Sequence, residues 1–174
     1  METATSNTTL RRTISVMVEN KFGVLARIST LFAARGFNID SLAVGETEDP
    51  SVSRMTIVVS GNEAVLEQVE KQLNKLIDVI KVISFTEESH LERDLALIKV
   101  KVDKASRSEI FQIVDIFRAK IVDMGVDSLV VEVAGDETKI TALEALLKPF
   151  GIKEMVRAGI IAMGRSAKKK ENGK

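Results

Sequence analysis

Apolar and polar residues alternate from Thr13 to Val18, and branched side chains dominate the run, as a half-buried strand requires. From Val24 the spacing changes. Val24, Leu25, Ile28, Leu31 and Phe32 recur three and four apart, which makes one apolar helical face with Arg27 and Arg35 off it. Gly36 follows the last periodic residue, where a left-handed cap favours glycine. Ile39 to Val44 predicts a second strand. Glu46-Thr47-Glu48-Asp49-Pro50 predicts a turn after it, because proline cannot continue a ladder. Met55 to Val59 predicts a third strand. Asn62 predicts a cap for a helix with Leu66, Val69, Leu73 and Leu76 inward, and Val79 to Phe85 predicts a fourth strand.

Beyond the polar Glu87-Glu88-Ser89-His90 the order repeats. Leu95 to Val102 predicts a strand. Ser106 with Glu109 predicts a capping box before a helix whose face is Ile110, Ile113, Val114 and Phe117. Lys120 to Val122 and Ser128 to Ala134 predict two more strands. Asp136 predicts the cap of a helix with Ile140, Leu143, Leu146 and Leu147 inward, and one last strand falls within Ile152 to Ile161. Two successive β-α-β-β-α-β units predict an α+β fold: two ferredoxin-like domains in tandem, each an antiparallel sheet with both helices on one side. A unit of under about 80 residues has a marginal core, and bare strand edges invite partners, so pairing between copies is expected.

Composition narrows the chemistry. The chain has 174 residues, no Cys, one His, no Tyr and no Trp. A disulfide framework, a thiolate metal site and cysteine catalysis are excluded. Lys plus Arg equals Asp plus Glu at 25 each, so net charge gives no attraction to nucleic acid. The strands Thr13–Val18 and Met55–Val59 carry no aromatic that could stack on a base. No apolar run approaches a membrane span, and the polar opening residues lack the apolar centre of a secretory signal, so a cytoplasmic protein is expected.

His90 reads as a solvated linker histidine, since a neighbouring Ser89 and Glu88 do not place a nucleophile and base in space. Asp115, Asp123, Asp127 and Glu132 read as surface charge rather than a hard-cation site. No phosphate-loop or dinucleotide fingerprint is present. The junction Glu19-Asn20-Lys21-Phe22-Gly23-Val24-Leu25 holds more interest. It joins a strand to a helix start, where unpaired backbone N–H groups can receive a carboxylate; Gly23 allows close approach and Asn20 offers donor and acceptor. A turn and helix cap explains the same residues. Asn38 can be a polar contact at a seam between copies or can satisfy a turn, while Phe22, Phe32 and Phe37 read as packing groups.

Several stretches resemble the small regulatory subunit family of acetolactate synthase, also called acetohydroxyacid synthase. They are Arg12-Thr13-Ile14-Ser15-Val16, Asn20-Lys21-Phe22-Gly23-Val24-Leu25-Ala26-Arg27, Arg35-Gly36-Phe37-Asn38-Ile39-Asp40-Ser41-Leu42, Ser53-Arg54-Met55-Thr56-Ile57 and Glu92-Arg93-Asp94-Leu95-Ala96-Leu97-Ile98-Lys99-Val100. The resemblance implies an ACT domain over 11–86 that binds an effector amino acid, a linker over 87–93 and a second ferredoxin-like domain over 94–165. A frayed lead over 1–10 and a basic tail over 166–174 flank them. It implies no active site in this chain. The catalytic large subunit would hold thiamine diphosphate, magnesium and FAD and make acetolactate in branched-chain amino-acid biosynthesis. This chain would raise its activity and confer feedback inhibition by valine. The family's effector loop falls on Asn20, Gly23, Val24 and Leu25, and Asn38 and Ile39 would come from across a homodimer of ACT domains. The chain departs from the family's pattern at Phe22, where many relatives carry proline. The alternative is a free-standing amino-acid-sensing ACT module without an enzyme partner.

Overall fold

The computed structural model describes residues 9–85 and 90–166. They form two units, one drawn from the described residues up to Leu91 with those from Ala162 onward and the other from Glu92–Ile161. In the first, β1 (Leu10–Glu19), α1 (Val24–Ala34), β2 (Ser41–Glu46), β3 (Val52–Gly61), α2 (Glu63–Leu73) and β4 (Val79–Phe85) follow in order. The sheet runs β2-β3-β1-β4. Its three ladders are antiparallel. The register sets Ile14 opposite Ile57 and Val16 opposite Met55. One sheet face is therefore aliphatic, and Val24, Ile28, Leu31 and Phe32 of α1 with Leu66, Val69 and Leu73 of α2 bury it.

Leu25 departs from the predicted apolar face. It follows Val24 by one residue, which turns it off the inward stripe, and it is exposed. Gly36 does end α1 as predicted. Its φ is 67°, and the N–H groups of Gly36 and Phe37 donate to the carbonyls of Ala33 and Phe32 at 3.2 and 3.0 Å. This is a Schellman end, and Phe37 closes it edge-on against Phe32 with ring centroids 6.1 Å apart. The second strand opens at Ser41, not Ile39. Asp40 accepts from Asn38 Nδ2 at 2.8 Å and from Ser60 Oγ at 2.6 Å, which holds 38–40 as a bend.

The second unit repeats the plan with β5 (His90–Lys101), α3 (Arg107–Ile116), β6 (Lys120–Met124), β7 (Ser128–Gly135), α4 (Glu137–Leu147) and β8 (Ile152–Arg157). Its sheet runs β6-β7-β5-β8, and an additional β9 (Ile161–Gly164) pairs β5. Ala96, Ile98, Val100, Leu129, Val131 and Val133 of the sheet meet Ile110, Val114, Ile140, Leu143 and Leu147 of the helices. The two βαββαβ units agree with the predicted fold class. No helix among the described residues is long and apolar enough to cross a membrane.

Three local expectations change. The last strand divides into β8 and β9, because Gly159 takes φ 93° and the Ala158 N–H turns to the Leu95 carbonyl. The linker expected over 87–93 is strand from His90, and the β1 strand opens at Leu10, inside the expected lead. In 90–94 less and more exposed positions alternate through mostly polar residues, a period that apolar counting overlooks. His90 is accordingly no solvated linker group: its ring stacks on Phe85 at 4.7 Å. Residues 1–8 of the lead, 86–89 of the linker and 167–174 of the tail lie outside the described residues.

The cap of α3 also moves. Ser106 makes no side-chain cap. Asp103 Oδ1 instead accepts from the N–H groups of Ala105 and Ser106 at 2.9 and 2.8 Å, while Ser106 Oγ accepts from the Asp103 N–H at 3.0 Å. That is a reciprocal box one turn earlier. Asn62 and Asp136 cap α2 and α4 as expected, accepting from Val65 N and Lys139 N at 2.9 and 2.8 Å.

Asn62→Ala and Asp136→Ala should each lower stability by about 1 kcal/mol in urea denaturation, with activity toward any partner unchanged. Acid acts on different groups. Asp103 is held below its ordinary value of 3.8, first by the Ser106 N–H and then by its hydroxyl. Asp127 is lowered by its hydrogen bond with Lys153 and then by that charge. Both therefore contribute stability above the ordinary aspartate range, and it is lost as pH falls from about 4 through the lowered folded values. The urea midpoint of an Asp103→Ala, Asp127→Ala double variant should fall less between pH 5 and 3 than that of the parent.

Candidate functional site

The β1–α1 loop leaves a helix start uncapped. Gly23 is the N-cap of α1 at φ 83° and ψ −4°, it supplies no side chain, and the first turn holds no acidic residue. By contrast Glu63 follows the cap of α2 and Glu137 that of α4. The Arg27 N–H donates to the Gly23 carbonyl at 3.1 Å and the Val24 N–H reaches Lys21 at 3.4 Å. The amides of Leu25 and Ala26 find no acceptor among the described residues. Two free amides at the positive end of a helix suit a carboxylate.

Asn20 ties this loop to the β2–β3 hairpin. Its N–H donates to the Ser51 carbonyl at 2.7 Å. Its Nδ2 donates to Glu46 Oε1 at 3.0 Å and to the Pro50 carbonyl at 2.9 Å. Two acceptors fix the amide orientation and leave Oδ1 as an acceptor for a ligand. The hairpin is itself stiff, since Asp49 Oδ1 accepts from the Ser51 N–H and hydroxyl at 2.9 and 2.7 Å. Those bonds, the hydroxyl's first, hold Asp49 below the ordinary carboxylate range. Glu46 was not singled out from the sequence. It lay inside a polar turn, and only the hairpin register shows that it reaches Asn20.

The remaining residues divide by position. The Val24 side chain is in the core, so only its backbone faces the loop, while Leu25 is exposed and Phe22 stands fully in solvent. Arg27, one turn into α1, pairs with the nearly buried Asp78 ahead of β4, whose carbonyl accepts from the Glu19 N–H at 2.9 Å. Asn38 and Ile39 lie at the other end of the sheet. Asn20 is beside Ser51 and Glu46, whereas the 38–40 bend is beside Val58 and Ser60. The 11 residues of α1 span the gap, about 16 Å. Ile39 packs partly on its own core. One chain therefore does not bring Asn20–Leu25 and Asn38–Ile39 together.

Among the described residues no group of three or more His, Asp or Glu side chains is placed to hold a metal ion. Asp127 is engaged by Lys153 at 2.7 Å. His90 stacks on Phe85 at 4.7 Å.

Tandem ferredoxin-like units with an uncapped helix end in the first define an ACT-type, two-domain protein. A family model described as the AHAS small subunit-like ACT domain matches residues 14–81. A second, the small subunit of acetolactate synthase, matches residues 93–166. The acetolactate synthase small subunit of Mycolicibacterium smegmatis is 51% identical over 160 residues, covering 92% of this chain and 94% of that one. A probable acetolactate synthase small subunit of Archaeoglobus fulgidus is 54% identical, covering 92% and 100%. The crystal structure of the small subunit from Thermotoga maritima superposes with a TM-score of 0.85 at 42% identity, covering 91% of this chain and 99% of that one. The chain belongs to the acetolactate synthase small-subunit family.

Asn20→Asp removes both Nδ2 donors and sets a carboxylate against Glu46. Hydrogen exchange at the amides of 47–52 should rise severalfold, while the core amides of β1 and β3 keep their protection.

Proposed function

We propose that this chain activates the catalytic large subunit of acetolactate synthase and confers feedback inhibition by valine in branched-chain amino-acid biosynthesis. The carrying observation is the uncapped start of α1, with the free amides of Leu25 and Ala26 beside Asn20. A zwitterionic amino acid places its carboxylate on those amides. Its ammonium faces Asn20 Oδ1 and the Glu46 carboxylate that Asn20 already engages. Val24 contributes only backbone. Its apolar side chain meets Leu25 and, from a second copy, Ile39, with Asn38 of that copy completing the polar set. The separation of the two loops by α1 supports a homodimer of ACT domains. The unpaired outer edge of β2 suits such pairing, because β2 ends the sheet and Val44 on it is exposed.

In this reading the chain works in the cytoplasm and supplies no catalytic group. Thiamine diphosphate, magnesium and FAD belong to the large subunit. Valine acts by linkage: it favours one relative arrangement of two ACT domains, and the attached large subunits follow. A ligand with equal affinity for both arrangements would shift nothing.

Acetolactate formation by the cognate large subunit, with and without this chain, across a valine titration tests the proposal. Activation followed by valine-dependent loss is expected. Gly23→Asp places negative charge where the carboxylate belongs, at a backbone angle that Asp tolerates better than most residues, and its Cβ meets nothing within 4 Å. That variant should keep activation and need about tenfold more valine, or more, for half inhibition. Unchanged valine sensitivity would reject the site. No activation despite an intact complex would favour a free-standing sensor.

A further inference from the structure

One residue holds the β1–α1 loop at both ends. Asp78 stands in the turn between α2 and β4 and is only 7% exposed. Its carbonyl accepts from the N–H of Glu19, the last residue of β1, at 2.9 Å. Its Oδ2 accepts from Nη1 of Arg27, one turn into α1. Residues 20–23 and the open amides of Leu25 and Ala26 lie between these two contacts. The turn that carries Asp78 is itself closed. The N–H groups of Lys75, Leu76 and Val79 donate to the carbonyls of Gln72, Leu73 and Leu76 at 3.2, 3.1 and 3.1 Å. Asp78 is thus a fixed point against which the loop is set.

A bulge brings Asp78 to this place. The β1–β4 ladder is regular from Thr13 opposite Phe85 to Met17 opposite Lys81, and then Val18 lies opposite Val79. Ile80 is the additional residue, and the shift sets Asp78 against Glu19 where an unbroken ladder would set Val79. The second unit makes the same move. Lys99 is opposite Glu154 and Val100 opposite Ile152, and the Lys101 N–H donates to the Gly151 carbonyl at 2.9 Å. There the residue corresponding to Asp78 is glycine, and the fourth residue of α3 is Ile110 where α1 has Arg27. The ladder therefore needs the bulge and the carbonyl but not the carboxylate. A carboxylate loses hydration on burial, and a partner must offset that loss. In the first unit the partner sits on the one helix whose first amides stand open. We propose that Asp78 is a positioning residue of the effector loop. Through Arg27 and the Glu19 N–H it fixes the start of α1 against the end of β1, which presets the Leu25 and Ala26 amides and Asn20 for one carboxylate and one ammonium. An amino acid then binds without first ordering the loop. The effect on valine rests on the reading of this loop as the effector site; the effect on the order of the loop does not.

Valine titration of the complex with the cognate large subunit tests the first effect, and amide hydrogen exchange of the full chain tests the second. Asp78→Asn and Arg27→Gln should each need about fivefold more valine, or more, to halve their own uninhibited activity. The double variant should match the singles, because the two groups act as one contact. Arg27→Lys keeps the charge at a single-point contact and should stay within about twofold of the parent. Exchange at the amides of Glu19, Asn20 and Arg27 should rise severalfold in Asp78→Asn and Arg27→Gln, while Ile14, Val16 and Ile57 keep their protection. If Asp78→Asn proves unstable, Arg27→Gln carries the same comparison from a half-exposed side chain. Where the parent is inhibited, unchanged half inhibition in both single variants, or effects that multiply in the double variant, would overturn the proposal. So would exchange that is unchanged at the loop or raised everywhere alike. If valine inhibits not even the parent, the reading of the effector site fails, and the exchange result alone decides the role of Asp78.

Discussion

The uninterrupted register between β1 and β3 sets most of what the first unit can do. Ten consecutive pairs, from Leu10 opposite Gly61 to Glu19 opposite Val52, leave no freedom to slip by one residue. A slip would send Ile14, Val16, Met55 and Ile57 to the wrong face and empty the core. With the register fixed, the loop after Glu19 must emerge beside the Thr47–Ser51 hairpin. The bend before β2 must emerge beside Ser60. α1 runs between them along the sheet, so the two polar loops sit a helix length apart in every copy. A site that needs both can exist only between copies. The proposed dimer thus rests on strand register and on no feature of the interface.

The same unit shows how a helix end stays open by what it lacks. Two of the other three helices begin with a side-chain oxygen on a first-turn amide, from Asn62 and Asp136, and Asp103 holds the turn just ahead of α3. Those caps stabilise the helices and also occupy the positive ends. α1 begins at Gly23 and keeps its amides open, and the stability that a cap would contribute is absent. Its far end compensates, with the Schellman bonds at Gly36 and the Phe32–Phe37 contact. The loop ahead of Gly23 is tethered through Asn20 to a hairpin stiffened by Asp49 and Ser51. An open helix end on a held loop would lose little entropy on binding, which is how a small ligand can obtain affinity from few contacts.

The sequence was legible where one periodicity ran clean. The cores of both units, the order of elements, the caps at Asn62 and Asp136 and the glycine end at Gly36 all follow from spacing and residue type. It was poorly legible where polar residues did the work of apolar ones. His90–Arg93 is strand although three of its four residues are polar, and β5, to which it belongs, pairs with β9. Asp103 displaced Ser106 as a cap because both sit ahead of the helix, and only geometry shows which begins it. Leu25 lies off the helix stripe by one step of rotation. The Asn20 loop could be singled out from sequence because a glycine and an amide stand at a helix start, but its tie to Glu46 spans 26 residues and depends on the hairpin register.

The two units also separate what the fold dictates from what the sequence adds. Both require an aliphatic face under the helices, and both have one. On the other side of each sheet the residues diverge: Thr13, Ser15, Thr56 and Val58 of the first unit are buried, whereas Leu95 and Leu97 of the second stand exposed. Divergence at positions that the fold leaves open is informative, because stability of the unit alone cannot account for it. A leucine exposed at the centre of a sheet contributes little until something covers it, about 25 cal/mol for each Å2 then removed from water. The same reasoning applies to the open amides of α1.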